Sequence, residues 1–338
     1  VIATEADMDV WSALTRLDGS LVVSGSDLVE LDGLPHLREV TGNVTIRGNA
    51  RLSVVDLPAL TTGGIVFEDN PALVAARFPS LRTPGTVSVG GSPAMTELSL
   101  PAVEFVHRYS LSGLALERVV VPPLFDAAPH EPPLGDIRLE NMSDLRDLVV
   151  QAVEVETLIL QNNPRLESVS LPRLERLVGR GLTVRDLASL RSLEAPELQS
   201  TLGIRIQRNP ALEAIRLPKL QTNPGIFVLS GHPALENVHF PRLYRTDSIL
   251  IGDNPLLEDL SFLSGLTSPL GVLWILRQAG LTDISALSGL GDAAGRDPII
   301  EDPVRIEDNP SLPTSQVQGL LDALEAKFDG DAFPGGVT

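Results

Sequence analysis

Short runs in which apolar and polar residues alternate recur along the whole chain, and each leads into the same punctuation. Leu158-Ile159-Leu160-Gln161-Asn162-Asn163-Pro164-Arg165-Leu166 closes on Leu171-Pro172-Arg173-Leu174. Ile204-Arg205-Ile206-Gln207-Arg208-Asn209-Pro210-Ala211-Leu212 closes on Leu217-Pro218-Lys219-Leu220, and Ile65-Val66-Phe67-Glu68-Asp69-Asn70-Pro71-Ala72-Leu73 on Phe78-Pro79-Ser80-Leu81. The unit is apolar-x-apolar-x-x-Asn-Pro-x-Leu, about four residues, then Leu-Pro-x-Leu. With the apolar residue after Asn-Pro as a ruler, the series reads Leu28, Leu52, Leu73, Met95, Leu116, Leu145, Leu166, Leu190, Leu212, Leu235, Leu257, Leu281 and Leu312. Most steps are 21 to 24 residues; the steps 116 to 145 and 281 to 312 are longer.

A period of this length marks stacked coils rather than a mixed globular core. Alternation predicts one short strand per coil with alternate side chains inward. Stacking lays these strands into one long parallel sheet. The expected architecture is a right-handed α/β solenoid dominated by β, with about thirteen coils. The Asn is expected to turn the chain and satisfy backbone groups of adjacent coils that water cannot reach; Ser92, His232 and Gln278 stand in its place in three coils. The Pro fixes φ at the corner, and Leu-Pro-x-Leu supplies the opposite wall of the core. Solenoid ends need caps. Val10, Trp11, Leu14 and Leu17 predict a short helix within 1–17. At the other end Thr314 is a predicted N-cap for a helix carrying Val317, Leu320, Leu321, Leu324 and Phe328 on one face. The chain thus divides into a cap at 1–17, repeats over 18–312 with insertions near 125–136 and 291–303, a helical cap at 313–328 and a flexible tail at 329–338, all within one repeat domain.

These residues resemble the receptor L-domain family, relatives of leucine-rich repeats. The phrases Leu17-Asp18-Gly19-Ser20-Leu21-Val22-Val23-Ser24-Gly25, Val40-Thr41-Gly42-Asn43-Val44-Thr45-Ile46-Arg47-Gly48-Asn49 and Asn309-Pro310-Ser311-Leu312-Pro313 resemble most its bacterial, myxobacterial-type surface members. The resemblance implies a leucine-rich solenoid that recognises a protein or glycan at a cell surface, with an extracellular or bacterial-envelope location. It carries over no catalytic or ligand residue.

Composition narrows the function. Hydrophobic residues make up 43% of the 338 but aromatics only 4%, so the core is aliphatic. A net charge of −18 repels phosphate backbones and excludes nucleic acid as an expected partner. With no cysteine, disulfides and thiolate chemistry are excluded. No run reaches the ~18–20 apolar residues of a membrane span. Val1-Ile2-Ala3-Thr4-Glu5 does not read as a signal peptide, so any signal or anchor is expected ahead of Val1.

Catalytic motifs fail on inspection. His130-Glu131 runs into Pro132-Pro133, which forbid a zinc-protease helix, and Gly179-Arg180-Gly181 lacks the third glycine of a dinucleotide loop. His36, His107, His130, His232 and His239 fall at unrelated phases of the repeat. Asp69, Asp253 and Asp308 precede Asn-Pro on distant coils and read as turn residues rather than a carboxylate pair. No cofactor or metal is expected, and no catalysis.

The outward strand positions form two columns. The first runs Val22, Thr45, Val66, Ser88, Ser110, Arg138, Ile159, Thr183, Arg205, Val228, Leu250, Trp274 and Arg305; the second runs Ser24, Arg47, Glu68, Gly90, Ser112, Glu140, Gln161, Arg185, Gln207, Ser230, Gly252, Leu276 and Glu307. The face is mixed polar until Val228, Leu250, Trp274 and Leu276, beside the small Ser230 and Gly252, make it apolar. That patch is the predicted contact surface for a protein or glycan, unless the insertion at 291–303 covers it. The two insertions are the second candidates. The expectation is a non-catalytic recognition or adhesion protein. A self-associating envelope scaffold and a β-solenoid carbohydrate enzyme are the alternatives.

Overall fold

The computed structural model describes residues 2, 4–104, 106–121, 134–268, 271–291 and 304–327. The insertion segments 122–133 and 292–303, Phe328 and the tail after it lie outside the described residues, as does His130. The chain forms two compact units, Val1–Leu166 and Glu167–Thr338, each a parallel β-solenoid in which strands a coil apart pair in register.

In the first unit the main sheet is built from Arg16–Leu17 with Leu21–Ser24, then Glu39–Arg47, Thr62–Glu68, Gly85–Gly90, Val106–Ser112, Leu134–Glu140 and Glu154–Gln161. In the second it is built from Arg176–Arg185, Ser200–Thr201 with Ile204–Gln207, Thr222–Ser230, Arg245–Gly252, Val272–Leu276 and Arg305–Glu307. The return side of the earlier coils carries a shorter strand, replaced later by the 3-10 turns Ser261–Leu263 and Ser285–Gly289. Glu30–Leu31, Val54–Asp56, Ala75–Arg77 and Glu97–Ser99 pair in the first unit, followed by Arg118–Val121 with Asp147–Val150. Ser168–Ser170, Ser192–Glu194, Ala214–Arg216 and Asn237–His239 do so in the second.

Between the two walls lie the ruler residues, all buried from Leu28 through Leu281, and the leucines of Leu-Pro-x-Leu, such as Leu171, Leu174, Leu217 and Leu220. Each such side chain contributes roughly 1.5–3 kcal/mol on leaving water, so the repeat sums many equal increments. Aromatics enter the core sparingly. Phe67 meets Phe78 at 6.1 Å, and Phe227, Phe240 and Phe262 form a cluster with centroids 5.6–6.3 Å apart.

The corner after each main strand explains the Asn. The residue before it takes left-handed backbone in every coil, with φ of 52° at Asp69, 59° at Asp253 and 58° at Asp308; Gly25, Gly48, Gly91, Gly113 and Gly231 stand at the same phase. The Asn side chain is thereby aimed back under the preceding coil. Asn254 Nδ2 donates to the Leu229 carbonyl at 3.1 Å while its Oδ1 accepts from the His232 N–H at 3.2 Å. Asn209 serves Val184 and Leu187 alike, Asn163 serves Leu139 and Met142, and Asn309 serves Ile275 and Gln278. An amide is right for the place because it offers a donor and an acceptor side by side.

Both terminal helices differ in detail from the sequence expectation. The first spans Glu5–Trp11, with Thr4 and Asp7 forming a capping box. It docks through Met8, which lies against Gly33. Val10, expected inside, is 79% exposed, and Leu17 belongs to a strand opposite Val40. The last helix spans Thr314–Lys327 and buries Leu320, Leu321 and Leu324. Thr314 is its first residue rather than its cap; the Pro313 carbonyl accepts from the amides of Gln316 and Val317. The helix also clamps the neighbouring coil, because Gln316 Oε1 accepts from Ile284 N–H and Lys327 Nζ donates to the carbonyls of Ser288 and Leu290.

Candidate functional site

The second unit presents the predicted patch on its main sheet. Strand alternation buries Ile206, Leu229, Ile251 and Ile275 and turns their neighbours outward. Register pairs Arg205 with Val228, Val228 with Leu250, Leu250 with Trp274, and Trp274 with Arg305. Beside them Gln207, Ser230, Gly252, Leu276 and Glu307 form the second column. The structure therefore brings Leu250, Trp274 and Leu276 together on one face, and all three are half-buried. Val228 is different: though outward, it is only 8% exposed, so it supports its neighbours rather than offering a contact of its own. The small residues act as expected. Gly252 lies in van der Waals range of Leu276, where a Cβ would stand 3.4 Å from the Leu276 carbonyl oxygen.

Trp274 is held from its far side. The Arg305 guanidinium carbon lies 5.2 Å from the ring centroid, a cation–π arrangement. Arg305 is itself oriented by Glu307, its Nε donating to Oε1 at 2.9 Å. The Trp274 Nε1 is shielded from solvent and donates no hydrogen bond among the described residues, although a buried indole N–H ordinarily finds an acceptor. At the edge of the face, Arg277 forms a two-pronged pair with Asp253 at 2.7 and 2.8 Å, which holds the Asp253 carboxyl below its usual range. Arg208 and Asp186 repeat the arrangement, with the same effect on Asp186.

No protein-family model matches the chain, and no curated protein does. Among solved structures, a leucine-rich cell surface protein from Faecalibacterium prausnitzii is similar over 66% of this chain and 82% of that one, at 13% identity and a TM-score of 0.25. A likeness that slight carries no argument about function.

The remaining chemistry-bearing residues are apart. Among the described residues no group of three His, Asp or Glu could hold a metal ion, and no helix is long and apolar enough to cross a membrane. Asp69, Asp253 and Asp308 sit at separate left-handed corners. His232 is fully buried and does an asparagine's work: Nδ1 faces the Asn209 N–H at 3.3 Å and Nε2 the Ile206 carbonyl at 3.0 Å. Sequence reasoning missed Arg305 as part of the site, although its place next to Trp274 in the first column was the available signal.

Proposed function

We propose that the chain is a non-catalytic surface recognition protein of the leucine-rich, receptor L-domain type, and that Leu250, Trp274, Leu276 and Arg305 form its contact for a protein or glycan. The observation that carries this reading is the Trp274 ring itself. It stands on the sheet, half-buried, braced by Arg305, beside the small Ser230 and Gly252, with an indole N–H that lacks an acceptor among the described residues. Aromatic and arginine anchors on a rigid face are what recognition surfaces use. A sheet of aliphatic coils supplies the rigidity and no reacting group.

The test is Trp274→Ala screened against arrays of glycans and surface proteins alongside the parent chain. Array signals that the parent gives should fall by about tenfold or more, as expected for a central aromatic anchor. Unchanged signals would remove the patch from the reading. In a Trp11→Phe background Trp274 becomes the only tryptophan. Partial quenching by acrylamide is expected, and complete shielding that appears only in an oligomer would favour the self-assembling scaffold instead.

A further inference from the structure

On the return side of the second unit the short-strand sheet stops at Asn237–His239, and among the described residues no strand pairs with its last edge. The preceding level shows what that edge offers. There the Glu213 carbonyl accepts from the amides of Glu236 and Asn237 at 3.2 and 3.1 Å, and Leu217 N–H donates to the His239 carbonyl at 3.0 Å, with Ile215 opposite Val238 between them. Parallel pairing uses alternate residues of a strand on alternate sides. One coil further on, the equivalents are the Glu236 carbonyl, both backbone groups of Val238, and the Phe240 N–H. None of these four makes a hydrogen bond among the described residues.

The next coil cannot supply the partner because it has changed conformation. Asp259 accepts from the Ser261 N–H at 2.8 Å and starts the 3-10 turn Ser261–Leu263 where earlier coils have a strand. A groove of ≈ 840 Å³ remains between strand and turn, with Val238 and His239 on one side and Leu256 on the other. Leu256 is 46% exposed. The groove is also acidic in a way the earlier coils are not. Glu194, Glu197 and Glu213 are each paired, with Arg216, Lys219 and Arg191. Glu236 and Glu258 stand one and two coils on from Glu213 and line the groove with Arg216, which is committed to Glu194, and neither forms an ion pair among the described residues.

We infer that this groove binds an extended peptide segment of a partner protein, which adds as the missing strand alongside Asn237–His239 and places basic side chains against Glu236 and Glu258. Backbone groups of the peptide meet the four open positions, and alternate apolar side chains lie against the exposed Leu256. This is strand addition, on a surface separate from the Trp274 face.

The probe is a fluorescently labelled Lys-Val-Lys-Val-Lys peptide, amidated and followed by anisotropy with the full chain. Saturable binding is expected, weakened by salt, by exchange of the lysines for glutamate, and by Glu236→Gln with Glu258→Gln. Val238→Pro removes the open N–H without touching the bonds to Ala214–Arg216, a place where an edge strand tolerates proline. It should weaken binding about tenfold, the worth of one backbone hydrogen bond with its geometry, while Trp274→Ala leaves binding unchanged. If Val238→Pro does not fold, the same peptide with alternate amides N-methylated makes the equivalent test from the other side. Failure of the parent chain to bind up to millimolar peptide, equal binding of the glutamate peptide, or indifference to both backbone changes would overturn the inference.

Discussion

The imidazole of His232 stands where other coils place an amide, and burial is what opposes its charged form. Nε2–H donates to the Ile206 carbonyl, and Nδ1 lies 3.3 Å from both the N–H and the carbonyl of Asn209, so it accepts from the first when neutral and donates to the second when protonated. Burial accordingly pushes the His232 pKa below its ordinary value, against the two backbone hydrogen bonds, which raise it. The folded chain therefore takes up this proton at lower pH than the unfolded chain, whose histidine titrates near about 6.5. The resulting stability is present above that pH and lost as pH falls toward the folded-state value. Urea midpoints measured from pH 7.5 to 5 should decline in the parent and lose most of that slope in His232→Asn, which restores the donor and acceptor without a titrating group; an equal slope would show that another group is responsible. Removing the ladder elsewhere is costlier. Asn254→Ala takes the side-chain donor from the buried Leu229 carbonyl and leaves His232 N–H with the Asp253 carbonyl alone, and should cost about 1–3 kcal/mol in chemical denaturation.

At the scale of the element, each corner solves two problems, the left-handed residue and the buried turn behind it. Gly, Asn and Asp tolerate that backbone, and eleven of the thirteen corners carry one of them. Arg208 and Arg277 are the exceptions, and each holds an aspartate from the coil before. Arg277→Gly should therefore leave stability nearly unchanged, because relief of left-handed strain offsets the loss of a solvent-exposed ion pair. Asp308→Val, which has no such relief and adds a β-branched side chain at φ 58°, should destabilise. Thermal melts of the two variants side by side decide this. The main strands, their register and the role of Asn were legible in the sequence because alternation and the Asn-Pro phrase repeat in phase. The corner conformation was legible too, in the Gly, Asn or Asp that precedes most of the asparagines. The open edge at Val238 was not, since it depends on a strand that is absent. Its local cause was written in Asp259-Leu260-Ser261, and again in Asp283-Ile284-Ser285, where Ser285 N–H donates to Asp283 at 2.7 Å. For the patch, column order gave the neighbours of Trp274 correctly. Burial of Val228 and the stacking of Arg305 depend on side-chain packing above the sheet, which alternation does not describe.

For the whole molecule, the charge of −18 and the pH dependence act over different ranges and predict separable behaviour. Neutralising 44 acidic against 26 basic residues brings the net charge to zero near pH 4.6, and molecules without net charge lose the repulsion that keeps them apart. Folding does not fail at the same point. Glu97 beside Arg77, Asp186 beside Arg208 and Asp253 beside Arg277 all have carboxyl pKa values lowered by a hydrogen-bonded guanidinium. Their contribution is present above the unfolded carboxylate range of about 4 and is lost only as pH falls through it toward the folded values. His232 removes stability earlier, below about 6.5, but as a single group in a core built from many equal aliphatic increments. Light scattering is therefore expected to rise to a maximum near pH 4.6 while far-UV circular dichroism stays at its neutral-pH value, with loss of the dichroism following at lower pH. Added salt should narrow the soluble range on both sides by screening the residual charge. Coincident loss of dichroism and onset of scattering would instead mean that acid unfolds the solenoid before its net charge is neutralised.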